Sequence, residues 1–342
     1  MAPMLTPDDV DPWAKPPKPP LPRKELKGLQ RRRNGPALWF MAGHLAIGAV
    51  TTALIALAWG TWWMVPAMFA QGIVVVFLFA PMHECTHGTA FRTRWLNSTV
   101  GTFCGVLMMR PALYFRYRHA AHHSYTQDPE RDPDQVAMPA NLSGYLGEVF
   151  GMEFWPKVVG TLYRSFTGRF NDREKFFLPE SERPRVIWEA RLMVGFYVLV
   201  AAVSAVTGAW VGLLAYWLVP RVIAEPSLRL VRMAEHTGMA ENADPLTNTR
   251  TTLTNPLVRF LYWNMPYHAE HHMAPSVPFH NLKRLHQALP GAPDEREYVV
   301  SKGYVRAHRD IVGNLGNGAG STVPTSTSAA AAAGGTSAAA AG

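Results

Sequence analysis

The sequence predicts an all-α integral membrane protein, with four transmembrane helices in two hairpins and a cytosolic helical cap carrying histidine boxes. Three observations predict it. Apolar runs come in two pairs separated by very short turns, the first pair uncharged and near membrane-crossing length. Basic residues gather outside those pairs and are missing from the turns. Eight of the 13 histidines fall in three tight groups at or beyond the ends of the runs.

Residues 1–36 hold eight Lys or Arg and a proline-rich stretch, Pro16 to Pro22, without the apolar core of a signal peptide. They read as a basic cytosolic tail. Pro19, Pro22 and Lys24 fit the spacing of an SH3 ligand, but a basic spacer accounts for the composition as well. Ala37 to Trp59 and Trp63 to Met82 are uncharged and each close to the ~20 residues a helix needs to cross a bilayer. A second pair follows, Leu192 to Val206 and Trp210 to Ala224, around the turn Thr207-Gly208-Ala209. The third span is short unless it starts near Val186 and keeps Glu189 and Arg191 at the interface. Val100 to Met109 and Tyr145 to Phe166 are apolar but interrupted or short, so helices lying in the interface are expected there. The membrane domain is expected over 37–310. Residues 311–342 form a tail that becomes almost wholly Gly, Ala, Ser and Thr from 315, a composition expected to be disordered.

Composition narrows the function. Hydrophobic residues make up 48% of the chain and charged ones 17%, and the formal charge is +8. The basic residues border apolar spans, so the expected partner is an anionic membrane surface and no nucleic acid. Cys85 and Cys104 lie in apolar surroundings and are expected to pack inertly without a disulfide.

The histidines carry the chemistry. The groups are His83 and His87, then His119, His122 and His123, then His268, His271 and His272. On a helix, residues at i, i+3 and i+4 share a face, so each group is a claw of two or three imidazoles. His236, shortly after the fourth expected span, can join them. Nine imidazoles exceed the needs of one ion, so two ions are expected, each with open positions. Imidazole alone does not choose between zinc, copper, iron and nickel, but oxygen chemistry on lipid C–H bonds favours iron. His44 reads as a helix-contact or pore residue, and His280, His286 and His308 as solvated surface. The acidic run Asp128 to Asp134 can orient ligand imidazoles or form a solvated loop. Asn264 and Tyr267 can support the third group from outside, and Tyr262 and Trp263 read as interfacial anchors. His83-Glu84-Cys85-Thr86-His87 also matches the HExxH zinc protease pattern, which would leave the other groups unexplained. A metal transporter is disfavoured, because its ionisable residues would lie in mid-span.

In order and spacing, HxxxH at 83–87, HxxHH at 119–123 and HxxHH at 268–272 make the chain resemble the membrane fatty acid desaturase family over roughly residues 37–310. The resemblance implies two ferrous ions held by His83, His87, His119, His122, His123, His236, His268, His271 and His272. It further implies O2-dependent desaturation of a long-chain fatty acyl lipid; hydroxylases and ketolases of lipids or carotenoids share the boxes. Arg232 stands where such enzymes can have an asparagine, one turn before the extra histidine. No fused cytochrome b5 signature is present, so electrons are expected from a separate cytochrome b5 or ferredoxin. The expected location is the endoplasmic reticulum if the cell is eukaryotic, the inner membrane if bacterial, with the boxes cytosolic.

Overall fold

The computed structural model describes residues 19–289 and 299–323. The expected tail before residue 19, including Pro16 and Pro17, and the low-complexity residues from 324 onward lie outside the described residues.

After a short helix α1 (Arg23–Leu29), α2 runs from Gly35 to Leu57 without a charge, with a proline in its first turn where no donor is lost. α3 (Met64–Phe77) and α4 (Phe79–His87) together make one 24-residue apolar run. At 1.5 Å per residue, His83 stands about 28 Å along the axis from Met64, near the thickness of a bilayer core. The first histidine group is thereby carried to one end of the span. Gly88, at φ 66°, caps the helix in the left-handed region directly after His87.

The cap begins with α5 (Arg94–Met108) and α6 (Ala112–Ser124), and continues with α7 (Leu142–Val149), α8 (Phe154–Thr167) and α9 (Asp172–Phe177). The two pieces expected to lie in the interface are thus helical. α10 (Arg183–Thr207) is longer than the third expected span. Its polar first turns are satisfied locally: Glu189 accepts from the Leu113 N–H at 2.9 Å, and the Arg191 Nε donates to the Phe166 carbonyl at 3.1 Å. Leu192, Val198, Leu199 and Val206 project outward, an apolar belt that suits lipid and not water.

Among the described residues three helical stretches are long and apolar enough to cross a membrane, Gly35–Leu57, Met64–His87 and Glu180–Thr207. The fourth expected span is one continuous helical stretch of mixed geometry, α11 (Trp210–Leu213), a π-helical Leu214–Leu218 and α12 (Val219–Ile223), shorter than the other three. Pro220 removes a backbone donor there, and Arg221 puts a charge in it. The segment packs closely on the second span: a Cβ at Gly72 would collide with the Pro220 carbonyl and the Ala224 methyl.

α13 (Glu225–His236) is followed by α14 (Pro245–Asn248), β1 (Arg250–Thr252), α15 (Pro256–Leu261), α16 (His268–Met273), α17 (Phe279–Ala288), β2 (Val299–Ser301) and α18 (Tyr304–Gly313). β1 and β2 pair in parallel, with Arg250 opposite Val299, a small departure from the all-α expectation. The chain beyond α18 turns back on the cap: Thr322 Oγ1 accepts from Arg250 at 2.6 Å and donates to the Gly238 carbonyl at 2.8 Å.

Several side chains correct the sequence reading. Tyr262 and Trp263 are core residues, 1% and 0% exposed, and not interfacial anchors. Trp263 packs on Phe40 and Phe279. His286 is buried against Glu270, and the half-buried His308 bonds Tyr145 and the Leu230 carbonyl. His280 is likewise half-buried. His44 is a helix contact as expected, its Nε2 2.7 Å from the Val74 carbonyl, and Cys85 and Cys104 are free and buried.

Candidate metal centre

All nine sequence-predicted histidines come together, and they divide into two groups. The ring nitrogens of His83, His87, His119, His123 and His271 lie within 4.8 Å of one another. His122, His236 and His272 form a second set of the same tightness, and His268 joins it through His236. The division follows helix geometry. On α6, His119 and His123, four residues apart, serve the first cluster and His122 the second. On α16, His268 and His272 serve the second and His271 the first. Each pair of adjacent histidines therefore sends one ring to each cluster, and the His123 and His272 rings stack at 4.1 Å where the clusters meet.

Spacing and tautomer fit metal ions. Successive Nε2 atoms stand 3.0 Å apart from His87 to His119 and from His119 to His123, and 3.2 Å from His123 to His271. In the second cluster His236, His268 and His272 are separated by 2.8 and 3.1 Å. A ring nitrogen binds a divalent first-row ion at about 2.1 Å, so two ligands at a right angle stand about 3 Å apart. The other ring nitrogens show where the protons are. His122 Nδ1–H donates to Asp132 Oδ1 at 2.9 Å. Thr126 Oγ1 spends its proton on the His122 carbonyl at 2.6 Å, so it accepts from His272 Nδ1–H at 3.1 Å. His268 Nδ1 faces Glu235 at 3.6 Å, and His271 Nδ1 faces Glu84 at 3.9 Å. With protons on the outer nitrogens, the inner lone pairs of His122 and His272 converge, an arrangement that a cation between them relieves.

Burial sets the charge state. It lowers the pKa of His119, His123, His236, His268, His271 and His272 well below the ordinary 6.5, and neighbouring imidazoles lower each further. The rings are then neutral at pH 7, the form that binds metal. Burial pushes Glu235 up to about 8 against the opposing pull of Arg232. Burial would raise Asp134, but the guanidiniums of Arg118 and Arg232 hold it low.

Of the two roles read from the sequence the acidic run takes the first, because Asp128, Asp132 and Asp134 are buried and not solvated. Asp132 orients His122, whereas Asp128 caps its own loop through the Glu130 and Arg131 N–H groups. Asn264 and Tyr267 spend their side chains elsewhere, on the Phe279 carbonyl and on Arg259. Sequence reasoning missed Thr126, Gln127 and Glu235. Thr126 lies one helical turn after His122, and Glu235 is the residue before His236, so position along the helix was the available signal. Gln127 holds the His236 carbonyl through its side chain and Asp132 through its backbone N–H. Glu270, inside the third group, anchors α16 by bonds to His286 and Thr251. In the HExxH reading Glu84 would act as the base at the metal, but its Oε2 accepts from Thr89 at 2.8 Å and its Oε1 faces the outer nitrogen of His271.

Comparison with known proteins agrees with this geometry. The fatty acid desaturase family model matches residues 60–303. Dihydrorhizobitoxine desaturase of Bradyrhizobium elkanii is 26% identical, over 78% of this chain and 80% of the relative. An sn-1 oleoyl-lipid 12-desaturase of a Picosynechococcus species is 22% identical over 72% and 74%. A ferredoxin-type sn-1 acyl-lipid omega-3 desaturase of a Nostoc species is 25% identical over 64% and 65%. With the three histidine groups gathered at one centre and the family match spanning all of them, the chain belongs to the membrane fatty acid desaturase family and is an oxidoreductase of the desaturase type.

Proposed function

We propose that the two clusters hold two ferrous ions, and that the protein desaturates a long-chain lipid with O2 and electrons from a separate carrier. The observation that supports this most is the division of nine histidines into sets of five and four at ligand spacing. Bound iron would supply the oxidising power to remove hydrogen from two adjacent carbons. The chain's own residues supply the rest. His83, His87, His119, His123 and His271 would fix one ion, and His122, His236, His268 and His272 the other. Asp132 and Thr126 hold the His122 and His272 rings in orientation from outside. Phe79 and Phe115 pack on the His83 and His119 rings and keep water from that side.

The electron carrier is a cytochrome b5 or a ferredoxin; the Nostoc relative's ferredoxin type supports the second. We place the histidine centre on the cytosolic side of the membrane. Arg31, Arg32, Arg33 and Arg92 line one surface cavity beside the start of α2, in keeping with the positive-inside rule. Asn97 and Asn141 head glycosylation sequons on that side. Expressed in a eukaryotic cell, neither should be glycosylated, and sugar on Asn141 would overturn the topology.

Expression in a host without desaturases, followed by lipid mass spectrometry, tests the reaction. The expected product is an acyl chain lighter by two hydrogens. A product gaining an oxygen would replace desaturation by hydroxylation or ketone formation. One zinc and no iron per chain, together with proteolytic activity, would overturn the di-iron reading itself.

A further inference from the structure

Beside the metal centre lies a group of arginines that the proposed reaction does not use. Arg110, Arg118, Arg221, Arg229 and Arg232 come together on α6, α12, α13 and the loop before α6, around the rings of Phe79, Phe115, Phe154 and Trp155. Three carboxylates answer them. Glu225 pairs with Arg221, Glu148 with Arg229, and Asp134 with Arg118 at 2.6 Å. Arg232 reaches only Asp134, already taken, at 4.0 Å. Among the described residues the Arg110 guanidinium has ring contacts, at 5.4, 5.8 and 5.0 Å from Phe79, Phe115 and Phe154, and no hydrogen bond or ion pair. Arg221 is 0% exposed, and its Nε and Nη2 have no partner. A buried guanidinium with idle N–H groups is costly, and an excess of positive charge in such a place is costlier. Aromatic faces recover part of that cost, but they leave the in-plane N–H donors unspent.

Two of these guanidiniums lie close to the centre. The Arg110 and Arg232 guanidinium carbons are 5.4 and 5.1 Å from the Phe79 ring, and that ring is 5.7 Å from the His83 ring. Neither guanidinium is therefore more than about 11 Å from His83, the reach of an extended chain of about eight C–C bonds. Arg110 also shares Phe154 with Arg221, 5.0 and 6.0 Å from that ring.

We infer that Arg110, Arg221 and Arg232 bind an oxyanion of the substrate, a carboxylate or a phosphate, only a short chain away from the carbons that react. This rests on the di-iron reading for the position of the reacting carbons, but not for the anion site. A guanidinium fork is suited to both oxyanions, and the Arg110 fork, the free Arg221 donors and the loosely paired Arg232 together give such a group several charge-assisted donors.

The test uses the full-length, metal-loaded protein in detergent. Calorimetric titrations with decanoate, 1-decanoyl lysophosphatidic acid and methyl decanoate compare a carboxylate, a lipid phosphate and an uncharged ester of similar chain. One or both anions should bind at least about tenfold more tightly than the ester, which matches the loss of a charge-assisted hydrogen bond. Which anion wins identifies its source. Arg110→Gln and Arg232→Gln should each weaken that anion about tenfold and leave the ester unchanged; two variants guard against one that fails to fold. Equal affinity for anion and ester, or an anion preference that survives both substitutions, would overturn the inference and assign the arginines a purely structural role. Metal analysis of the same samples separates the two ideas. Two irons without an anion preference would sink the oxyanion site alone, and an anion preference without iron would sink the di-iron reading alone.

Discussion

The two histidine clusters are built on different principles. The first has five rings, two of them half-exposed, and little outside support: His83 and His123 have Nδ1 atoms without a partner, and Glu84 stands 3.9 Å from His271. The second has four rings, all buried; two of them are oriented from outside, His122 by Asp132 and His272 by Thr126, while the Nδ1 atoms of His236 and His268 have no hydrogen-bond partner. The first cluster offers more rings, the second two rings whose orientation is fixed in advance. An oriented imidazole loses less freedom on binding and has its tautomer set, so His122 and His272 should count for more than rings without an outer partner.

Removal of a ligand should have the largest effect. His271→Ala and His272→Ala should each take product below detection and lower iron from about two to about one per chain, read by metal analysis of the purified protein. His122→Ala should do the same while the protein still inserts in the membrane. If only second-cluster variants lost iron, the extra ligand of the first cluster would be dispensable.

The next effect is smaller and separates the clusters more sharply. Asp132→Asn leaves every histidine in place but weakens the partner of His122, and should cost about 10–100-fold in iron affinity or turnover. Glu84→Gln acts on His271 across a longer gap and should cost several-fold less. Equal losses from both would show that the outer partners do not distinguish the two sites. The mildest effect is kinetic: a chelator should strip the first cluster faster, because His87 and His123 are half-exposed. Biphasic iron release, with the slow phase accelerated by Asp132→Asn, is the expected result, and a single phase would contradict the comparison.

Much of this was legible in the sequence, for a physical reason. Histidines at i, i+3 and i+4 must share a helix face, and uncharged runs of about 20 residues must find lipid or a core. The eight grouped histidines and the first three apolar spans followed from those two rules, and His236 from its place just after the fourth apolar run. The split into five and four did not, because it depends on how α6 and α16 face each other across about 145 residues of chain. Long-range partners were invisible for the same reason. His286 looked solvated because Glu270 lies on another helix, and Tyr262 and Trp263 looked interfacial because aromatic residues near a span end commonly are. The π-helical turn at Leu214–Leu218 in the fourth apolar run was likewise not legible, because an apolar pattern does not distinguish it from an α-helix.

Mössbauer spectroscopy of the protein reconstituted with the Mössbauer-active iron isotope tests the central claim most directly. Two high-spin ferrous components of equal area are predicted, one for the five-histidine site and one for the four-histidine site, with His272→Ala abolishing the second and leaving the first. A single component in the wild-type protein, unchanged in that variant, would contradict the account.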